Sequence, residues 1–111
     1  MAMMKRGDVV LASAPGDYGK PRRAVVVQSD FFNEVHPSIG VCPPTTHLVA
    51  APIFRISVTP SAENGLRENS QIMIDKVVTL PRGRIRDPVG RLDDVTMARV
   101  NRALAVFFGL A

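Results

Sequence analysis

The residues best suited to chemistry stand in a short basic turn that leads into an apolar strand. The turn is Lys20-Pro21-Arg22-Arg23, and the run Ala24-Val25-Val26-Val27 follows it directly. A guanidinium at the start of a rigid strand can bind phosphate through two parallel hydrogen bonds, and it keeps its positive charge at any physiological pH. The pattern therefore indicates a phosphate-binding position, useful to a protein that binds or cleaves nucleic acid. The alternative is a solvated loop, because single surface charges contribute little by themselves.

A second group of arginines occupies a turn-rich stretch nearer the C-terminus, where four of them surround one acidic residue. These residues are Arg82, Arg84, Arg86 and Arg91, around Asp87. The chain has a formal net charge of +4 and a sequence pI of about 10.0. A field of this sign attracts polyanions such as nucleic acid, an acidic protein or an acidic disordered tail. Charge alone does not choose among these partners.

Few side chains could hold a metal or form a disulfide. Cys42 is the sole cysteine, which excludes an internal disulfide, and it is expected to be a small core residue. His36 and His47 are the only histidines, and Asp93-Asp94 is the only adjacent acidic pair. That pair is better explained as the start of a helix, where carboxylates accept hydrogen bonds from free backbone N–H groups. The sequence therefore favours a site without metal and gives no signal for a cofactor.

Length and composition predict one domain, residues 1–111. The chain has 111 residues, of which 46% are hydrophobic and 22% charged, enough for a single core but too few for two layered domains. No window reaches the apolar length of a membrane span. Met1-Ala2-Met3-Met4-Lys5 leads directly into charged residues without the apolar stretch of a secretory leader, which favours the cytoplasm.

The chain divides into a β-rich body and a helical end. Apolar residues at helical spacing after Asp93 predict one helix, which Asp93 can cap and Gly109 can end. Short apolar runs bounded by glycine, proline and asparagine predict strands, and residues 82–90 are expected to form a turn-rich connection. The pattern predicts a mainly β fold with a C-terminal helix, built as a small, SH3-like, strongly bent β-barrel. The predicted strands are Asp8–Ala14, Arg23–Gln28, Ile39–Cys42, Leu48–Val58 and Ser70–Leu80.

Several short motifs follow one another along the chain. In chain order they are Lys5-Arg6-Gly7-Asp8, Lys20-Pro21-Arg22-Arg23-Ala24, Val41-Cys42-Pro43-Pro44-Thr45-Thr46, Gly65-Leu66 with Ser70, and Gly90-Arg91-Leu92 before a helix ending in Phe108-Gly109-Leu110. In this order and spacing they resemble the MazF/PemK toxin family of bacterial toxin–antitoxin systems. The resemblance covers nearly the whole chain and implies the bent β fold that this family shares with CcdB-type toxins.

The resemblance implies the toxin of a type II toxin–antitoxin system, an endoribonuclease that cleaves single-stranded RNA at short sequences without a metal. In this reaction the RNA 2′-hydroxyl attacks the adjacent phosphate, giving a cyclic phosphate and a free 5′-hydroxyl. Charge builds up on the phosphate oxygens, so hydrogen-bond donors aimed at them are the main catalytic requirement. The family further implies a homodimer and an acidic antitoxin with an initially disordered tail that covers the basic groove.

Carried over by position, the family's catalytic pair falls on Arg22, which would stabilise the phosphorane and could donate a proton, and Thr45, which would position the phosphate. Asp17, in the loop before Arg22, is the candidate general base, although an aspartate near its reference pKa of about 4 is a weak base at neutral pH. RNA contacts are expected from Lys20, Arg23, Thr46, Arg82, Arg84 and Arg86.

Departures from the family pattern keep other interpretations open. Arg23 stands where the family usually has proline and Pro21 where some members have histidine, so His36 or His47 could supply proton transfer instead. The same fold also carries gyrase poisons of the CcdB type, which bind a protein and cleave nothing. The apolar C-terminal residues 106–111 are the feature that such a toxin would need, whereas Arg22 together with Thr45 favours RNA cleavage.

Overall fold

Two antiparallel sheets and a C-terminal helix make up the computed structural model, which describes residues 4–13 and 20–111. The strands are β1 (Asp8–Ala12), β2 (Arg22–Val26), β3 (Ser38–Cys42), β4 (Pro44–Thr45), β5 (Arg55–Val58), β6 (Ser70–Met73), β7 (Val78–Pro81) and β8 (Ile85–Arg91), and the helices are α1 (Asp30–Asn33) and α2 (Asp94–Phe107). One sheet has five strands in the order β7-β3-β2-β1-β8, and the other has three in the order β4-β6-β5. The predicted fold class, mainly β with a C-terminal helix, is confirmed, although the two sheets do not join into one closed barrel.

Alternate side chains of the five-stranded sheet enter two separate apolar clusters. Val9 and Val25 belong to the cluster that also holds residues of the three-stranded sheet and α2, whereas Val10 and Val26 belong to the other. Successive residues of a strand point to opposite faces, so a strand buried on both faces must be apolar throughout. Cys42 is fully buried in the first cluster, as predicted, and burial raises the pKa of its thiol to about 12.

The C-terminal helix begins and ends where the sequence predicts. The side chain of Asp93 accepts a hydrogen bond of 2.6 Å from the backbone N–H of Thr96, and this bond lowers the pKa of the carboxyl group. Gly109, with φ of 74°, follows the last turn. Met97 and Val100 are buried in the cluster between helix and sheets. In the described part of the chain, no helix has the length and apolar surface that a bilayer-spanning segment needs.

The predicted strand at Leu48–Val58 is wrong in its first half, because only Arg55–Val58 forms a strand. Pro52 has no N–H and cannot donate a hydrogen bond to a neighbouring strand. The side chain of Gln71 bonds to the backbone of this segment where a strand would otherwise lie. The amide of Gln71 pairs with both backbone groups of Val49: Oε1 accepts from N at 3.0 Å and Nε2 donates to O at 2.8 Å. The segment is therefore held to β6 without being a strand itself.

Two further predictions were wrong, one because it missed a change of sheet and one because it missed a strand. Ser70–Leu80 is interrupted by a 3₁₀ turn, so that β6 belongs to the three-stranded sheet and β7 to the five-stranded one. Residues 82–90, expected to be a connection, include most of β8, which pairs with β1 through an irregular register. Pro88 is tolerated there because β8 is an edge strand.

Candidate active-site cleft

A cleft at the start of β2 brings together Arg22 and Thr45, which lie far apart in the sequence. β2 and β3 pair antiparallel, with Val25 opposite Cys42. Arg22 comes three residues before Val25, and Thr45 comes three residues after Cys42. The same register therefore sets the two side chains at one level, just beyond the last paired residues.

The two chain segments part at this level, and the cleft opens between them. Pro43 and Pro44 have no N–H to continue the ladder with β2. β4 pairs instead with β6, with Thr45 opposite Gln71. The space left between the start of β2, β4 and the segment after Gly65 is a cleft of about 390 Å³. Its polar lining includes Arg22, Arg23, Thr45, Thr46, Arg67 and Glu68.

The lining is positively charged. Three guanidinium groups, from Arg22, Arg23 and Arg67, face one carboxylate, from Glu68, which gives a formal charge of +2 for three cations and one anion. Leu66 and Pro44 contribute apolar surface to the lining. Clefts lined by one sign of charge concentrate ligands of the opposite sign. This cleft therefore suits a phosphate group whose attached base can rest on an apolar surface.

The hydroxyl of Thr45 is held in a defined position. Its Oγ1 accepts a hydrogen bond of 3.1 Å from the backbone N–H of His47, and its backbone pairs with Gln71. A hydroxyl has one hydrogen to donate and two lone pairs to accept with. With one lone pair taken by His47 and no acceptor for the O–H among the described residues, the hydroxyl can donate to a phosphate oxygen in the cleft.

Arg23 connects β2 to the opposite wall of the cleft. Its Nε donates to the carbonyl oxygen of Gly65 at 2.8 Å. Gly65 has φ of +67°, and a Cβ at this position would lie only 2.5 Å from the carbonyl oxygen of Val89. Asn64 Oδ1 accepts from the N–H of Leu66 at 3.0 Å and fixes the turn further. The carbonyl to which Arg23 is anchored is therefore part of a rigid turn.

Arg84 and Arg86 lie at the same end of the five-stranded sheet as the cleft. Ala12 of β1 pairs with Arg22 on one side and with Ile85 on the other. Ile85 is buried, whereas Arg84 and Arg86 on either side of it are exposed. Because adjacent strands are about 5 Å apart, the backbones of β2 and β8 are roughly 10 Å apart here. Lys20, also exposed, immediately precedes the cleft.

Arg82 lies away from the cleft, at the end of α1. Its Nε and Nη2 both donate to the carbonyl oxygen of His36, at 3.1 and 2.8 Å, and Nη2 also donates to the carbonyl oxygen of Asn33. Its backbone N–H donates to the carbonyl oxygen of Pro37 at 2.8 Å. The guanidinium of Arg82 is thus engaged by backbone carbonyls, and the structure does not bring it together with Arg22.

The structure describes two of the three residues considered for proton transfer, and these two lie in different places. Asp17 lies outside the described residues. His36 lies beside Arg82, where its Nδ1 accepts from the N–H of Ser38 at 3.1 Å, and His47 is exposed next to the lining segment. No group of three or more His, Cys, Asp or Glu side chains able to hold a metal occurs within residues 4–13 and 20–111.

Sequence reasoning missed the far wall of the cleft. Arg67, Glu68 and Ser70 all line it, and the Ser70 hydroxyl donates to the carbonyl oxygen of Glu68 at 2.8 Å. The Gly65-Leu66 motif with Ser70 marked this segment as part of the family pattern. Nothing in its charge or periodicity assigned it to a site, because its place depends on the long-range contact with Arg23.

The comparisons with known proteins agree over the whole chain. A family model described as PemK-like, MazF-like toxin of type II toxin–antitoxin system matches residues 5–108. The chain is 45% identical over 109 residues to the probable endoribonuclease MazF of Mycolicibacterium smegmatis, covering 97% of this chain and 99% of that protein. It is 30% identical over 112 residues to the endoribonuclease MazF of Staphylococcus saprophyticus, covering 97% of this chain and 93% of that protein.

Solved structures agree in fold. The chain superposes on an endoribonuclease from a mycobacterial species, solved in complex with its cognate antitoxin, with a TM-score of 0.82, 22% identity and 97% coverage of both chains. At 22% identity the structural likeness shows the fold alone, whereas the sequence matches show the family. The chain belongs to the family of PemK-like, MazF-like toxins of type II toxin–antitoxin systems.

Proposed function

We propose that this protein is a sequence-specific endoribonuclease that acts in the cytoplasm as the toxin of a type II toxin–antitoxin system. It cleaves single-stranded RNA by attack of a 2′-hydroxyl on the adjacent phosphate, without a metal. The observation that carries this proposal is the positive cleft in which Arg22 and Thr45 meet. The relatives that match nearly the whole chain are named endoribonucleases, which supports the same activity.

The chemistry follows from the two side chains. As the 2′-oxygen attacks, negative charge grows on the non-bridging oxygens of a five-coordinate phosphorane. The guanidinium of Arg22 stays charged throughout, so we assign it the stabilisation of this charge. The Thr45 hydroxyl donates to a phosphate oxygen and fixes its orientation for in-line attack. Asp17 is the candidate base that takes the 2′-hydroxyl proton, and Glu68 is a second carboxylate, in the cleft lining itself.

RNA extends beyond the cleft across one end of the five-stranded sheet. Lys20, Arg23 and Thr46 contact the RNA at and beside the reacting phosphate, and Arg84 and Arg86 continue the positive surface at the start of β8. Such contacts to phosphate supply affinity that falls as salt rises. We leave Arg82 out of this surface, because its guanidinium donates to the carbonyls at the end of α1.

As partners we propose a second copy of the chain, forming a homodimer of single-domain subunits, and an acidic antitoxin that covers the basic cleft. The end of α2 presents apolar side chains that need cover, with Phe108 56% and Leu110 81% exposed. An acidic segment complements the net charge of +4. A gyrase-poisoning role is not favoured, because the sequence relatives are named endoribonucleases.

The test is cleavage of a long unstructured RNA in excess chelator, with mapping of the fragment ends. The parent is compared with Arg22→Ala and Thr45→Ala, each shown to be folded by circular dichroism, and with Thr45→Ser, which keeps the hydroxyl. We expect discrete cuts with cyclic-phosphate ends in the parent, loss of about 100-fold to 1000-fold in Arg22→Ala, and a smaller loss in Thr45→Ala that Thr45→Ser restores.

Intact RNA with the parent, both in chelator and without it, would reject the nuclease assignment, and equal cutting by both alanine variants would reject the catalytic roles of Arg22 and Thr45. Inhibition of DNA gyrase supercoiling by the same preparation would then support the gyrase alternative. Cutting that stops on addition of chelator would instead contradict the proposed independence from metal.

A further inference from the structure

Arg22 and Arg23 approach the cleft from opposite sides of one strand. Neighbouring residues of a strand point to opposite faces. Ala24 shares a face with Arg22 and enters one apolar cluster, while Val25 shares a face with Arg23 and enters the other. Both arginines nevertheless line the cleft, because the cleft surrounds the first residues of β2. Their side chains therefore leave the backbone on opposite faces of β2, and we expect their guanidinium groups to be poorly placed to hold one phosphate side by side.

Arg23 is pre-organised for a ligand. Its Nε donates to the carbonyl oxygen of Gly65 at 2.8 Å, and among the described residues this is the only hydrogen bond of its guanidinium. A guanidinium has five N–H donors, so four remain, all on the two Nη atoms. A side chain already anchored at Nε loses little conformational entropy when Nη atoms bind a phosphate. The charges of Arg67 and Glu68 on the same wall cancel, so the Gly65 side keeps the single positive charge of Arg23.

We propose that Arg23 binds the phosphate next to the one that Arg22 stabilises, so that the cleft engages two consecutive phosphates. The inference rests on the proposed nuclease function and extends it to the size of the substrate. Consecutive phosphates of a single strand are joined through one ribose and pass the two sides of β2 in turn. The smallest efficient substrate is therefore a trinucleotide with two phosphates, and a dinucleotide with the scissile phosphate alone is cut poorly.

The experiment uses short oligonucleotides with a single ribonucleotide at a mapped cut site and deoxynucleotides elsewhere, so that only one bond can be cut. In two further substrates an uncharged methylphosphonate replaces the phosphate immediately 5′ or immediately 3′ of the scissile one. Single-turnover cleavage is measured for the parent, for Arg23→Gln and for the charge-matched control Arg102→Gln, which removes an exposed arginine of α2. Cleavage rates of dinucleotide and trinucleotide substrates are compared for the parent enzyme only.

We expect one of the two methylphosphonates to slow the parent about 10-fold to 100-fold, the usual effect of losing a hydrogen bond to a charged group. Arg23→Gln should lose a similar factor on the all-phosphate substrate and nothing further on that methylphosphonate. Arg102→Gln should behave as the parent. Arg23→Lys, assayed in the same way, keeps a charge without the Nε anchor, so its cleavage rate should remain partly sensitive to the same methylphosphonate. The trinucleotide should be cut at least 10-fold faster than the dinucleotide.

The inference is overturned if the parent cuts both methylphosphonate substrates as fast as the all-phosphate substrate. It is also overturned if the rate loss from the methylphosphonate and the rate loss from Arg23→Gln multiply when the two changes are combined. In either case the parent still cuts RNA, so the proposed function stands. If Arg23→Gln does not fold, the comparison of dinucleotide with trinucleotide decides, and equal rates overturn the inference. A parent that cuts no substrate, including long RNA, rejects both proposals together.

Discussion

The cleft at the start of β2 and the turn at Arg82 are both rich in arginine, but the two regions use the charge differently. Arg23 donates one Nε hydrogen bond to the Gly65 carbonyl and keeps its Nη atoms for the cleft. Arg82 donates through both Nε and Nη2 to the carbonyls of His36 and Asn33. An arginine serves a ligand when its surroundings satisfy only part of its donors, and serves the fold when backbone carbonyls take them.

The local backbone explains this difference. The last carbonyls of any helix lack partners within the helix, and α1, with four residues, leaves a large share of its carbonyls in that state. Arg82 supplies donors to the carbonyl of Asn33, the last residue of α1, and to that of His36, three residues beyond the helix. At the cleft the backbone pairing stops, because β2 and the segment around Pro43 move apart. The side chains that border this gap face a cleft and not a neighbouring strand. A strand separation thus creates a candidate binding site, and a short helix creates a structural use for an arginine.

The largest effect should come from the cleft, in the variant Arg22→Lys. Lysine keeps the charge but loses the planar fork of N–H donors, so the phosphorane loses part of its stabilisation. We expect the single-turnover cleavage rate to fall about 100-fold, with RNA affinity and its salt dependence nearly retained. Quench-flow cleavage and fluorescence anisotropy at several salt concentrations measure the two quantities.

Arg102→Lys is the matched control, because it makes the same change on an exposed face of α2 away from the cleft. It should leave the rate unaltered. A parental rate in Arg22→Lys would mean that a point charge is enough at this position, and the contrast between fork geometry and simple charge would disappear.

Arg82→Gln should show the opposite pattern, a loss of stability without a loss of catalysis. The carbonyls of Asn33 and His36 lose charged donors, which we expect to lower the free energy of unfolding by about 1–2 kcal/mol. Urea denaturation measures this value, and the cleavage rate per folded molecule should equal the parent's. Arg84→Gln, an exposed neighbour, should leave stability unchanged. Weaker RNA binding with intact stability would return Arg82 to the RNA-binding surface that the sequence predicts.

The sequence predicts best those elements whose signals are local. α2 carries its cap at Asp93, its apolar spacing and its terminal Gly109 within one segment, and it was predicted correctly. β8 was missed because Pro88 and Gly90 are typical of turns, and its pairing with the apolar β1 is visible only in three dimensions. Residues 48–54 were assigned to a strand because of their composition, and the hydrogen bonds between Gln71 and Val49 have no local signature.

The same distinction applies to the cleft. Arg22 and Thr45 were proposed as site residues because motifs of known order contain them, and the register between β2 and β3 brings them to one level. The wall formed by Arg67 and Glu68 was not found, since it depends on the anchor between Arg23 and Gly65 across 42 residues of sequence. A basic turn can thus indicate a phosphate site, but the enclosing wall requires the fold.

The smallest effect concerns Asp30, in the first turn of the same helix that Arg82 supports. Its pKa is lowered, chiefly because Oδ1 accepts from the backbone N–H of Arg6 at 2.6 Å, with help from the Asn33 amide at 3.0 Å. A carboxyl whose folded pKa is depressed stabilises the fold above its unfolded pKa of about 4, and this contribution is lost as pH falls through the lower folded value.

Asp30→Asn should therefore lower Tm by a few degrees or less at pH 7, and the difference from the parent should shrink as pH falls from about 4 towards 3. Thermal melts of both proteins across this range measure the difference, in which the titration of all other carboxylates cancels. Glu34→Gln, which removes an exposed carboxylate next to the same helix, is melted in the same series as the control variant. A constant gap for Asp30→Asn would mean that its hydrogen bonds, and not its charge, hold the start of α1, and that Arg82 is the only charged support of this region among the described residues.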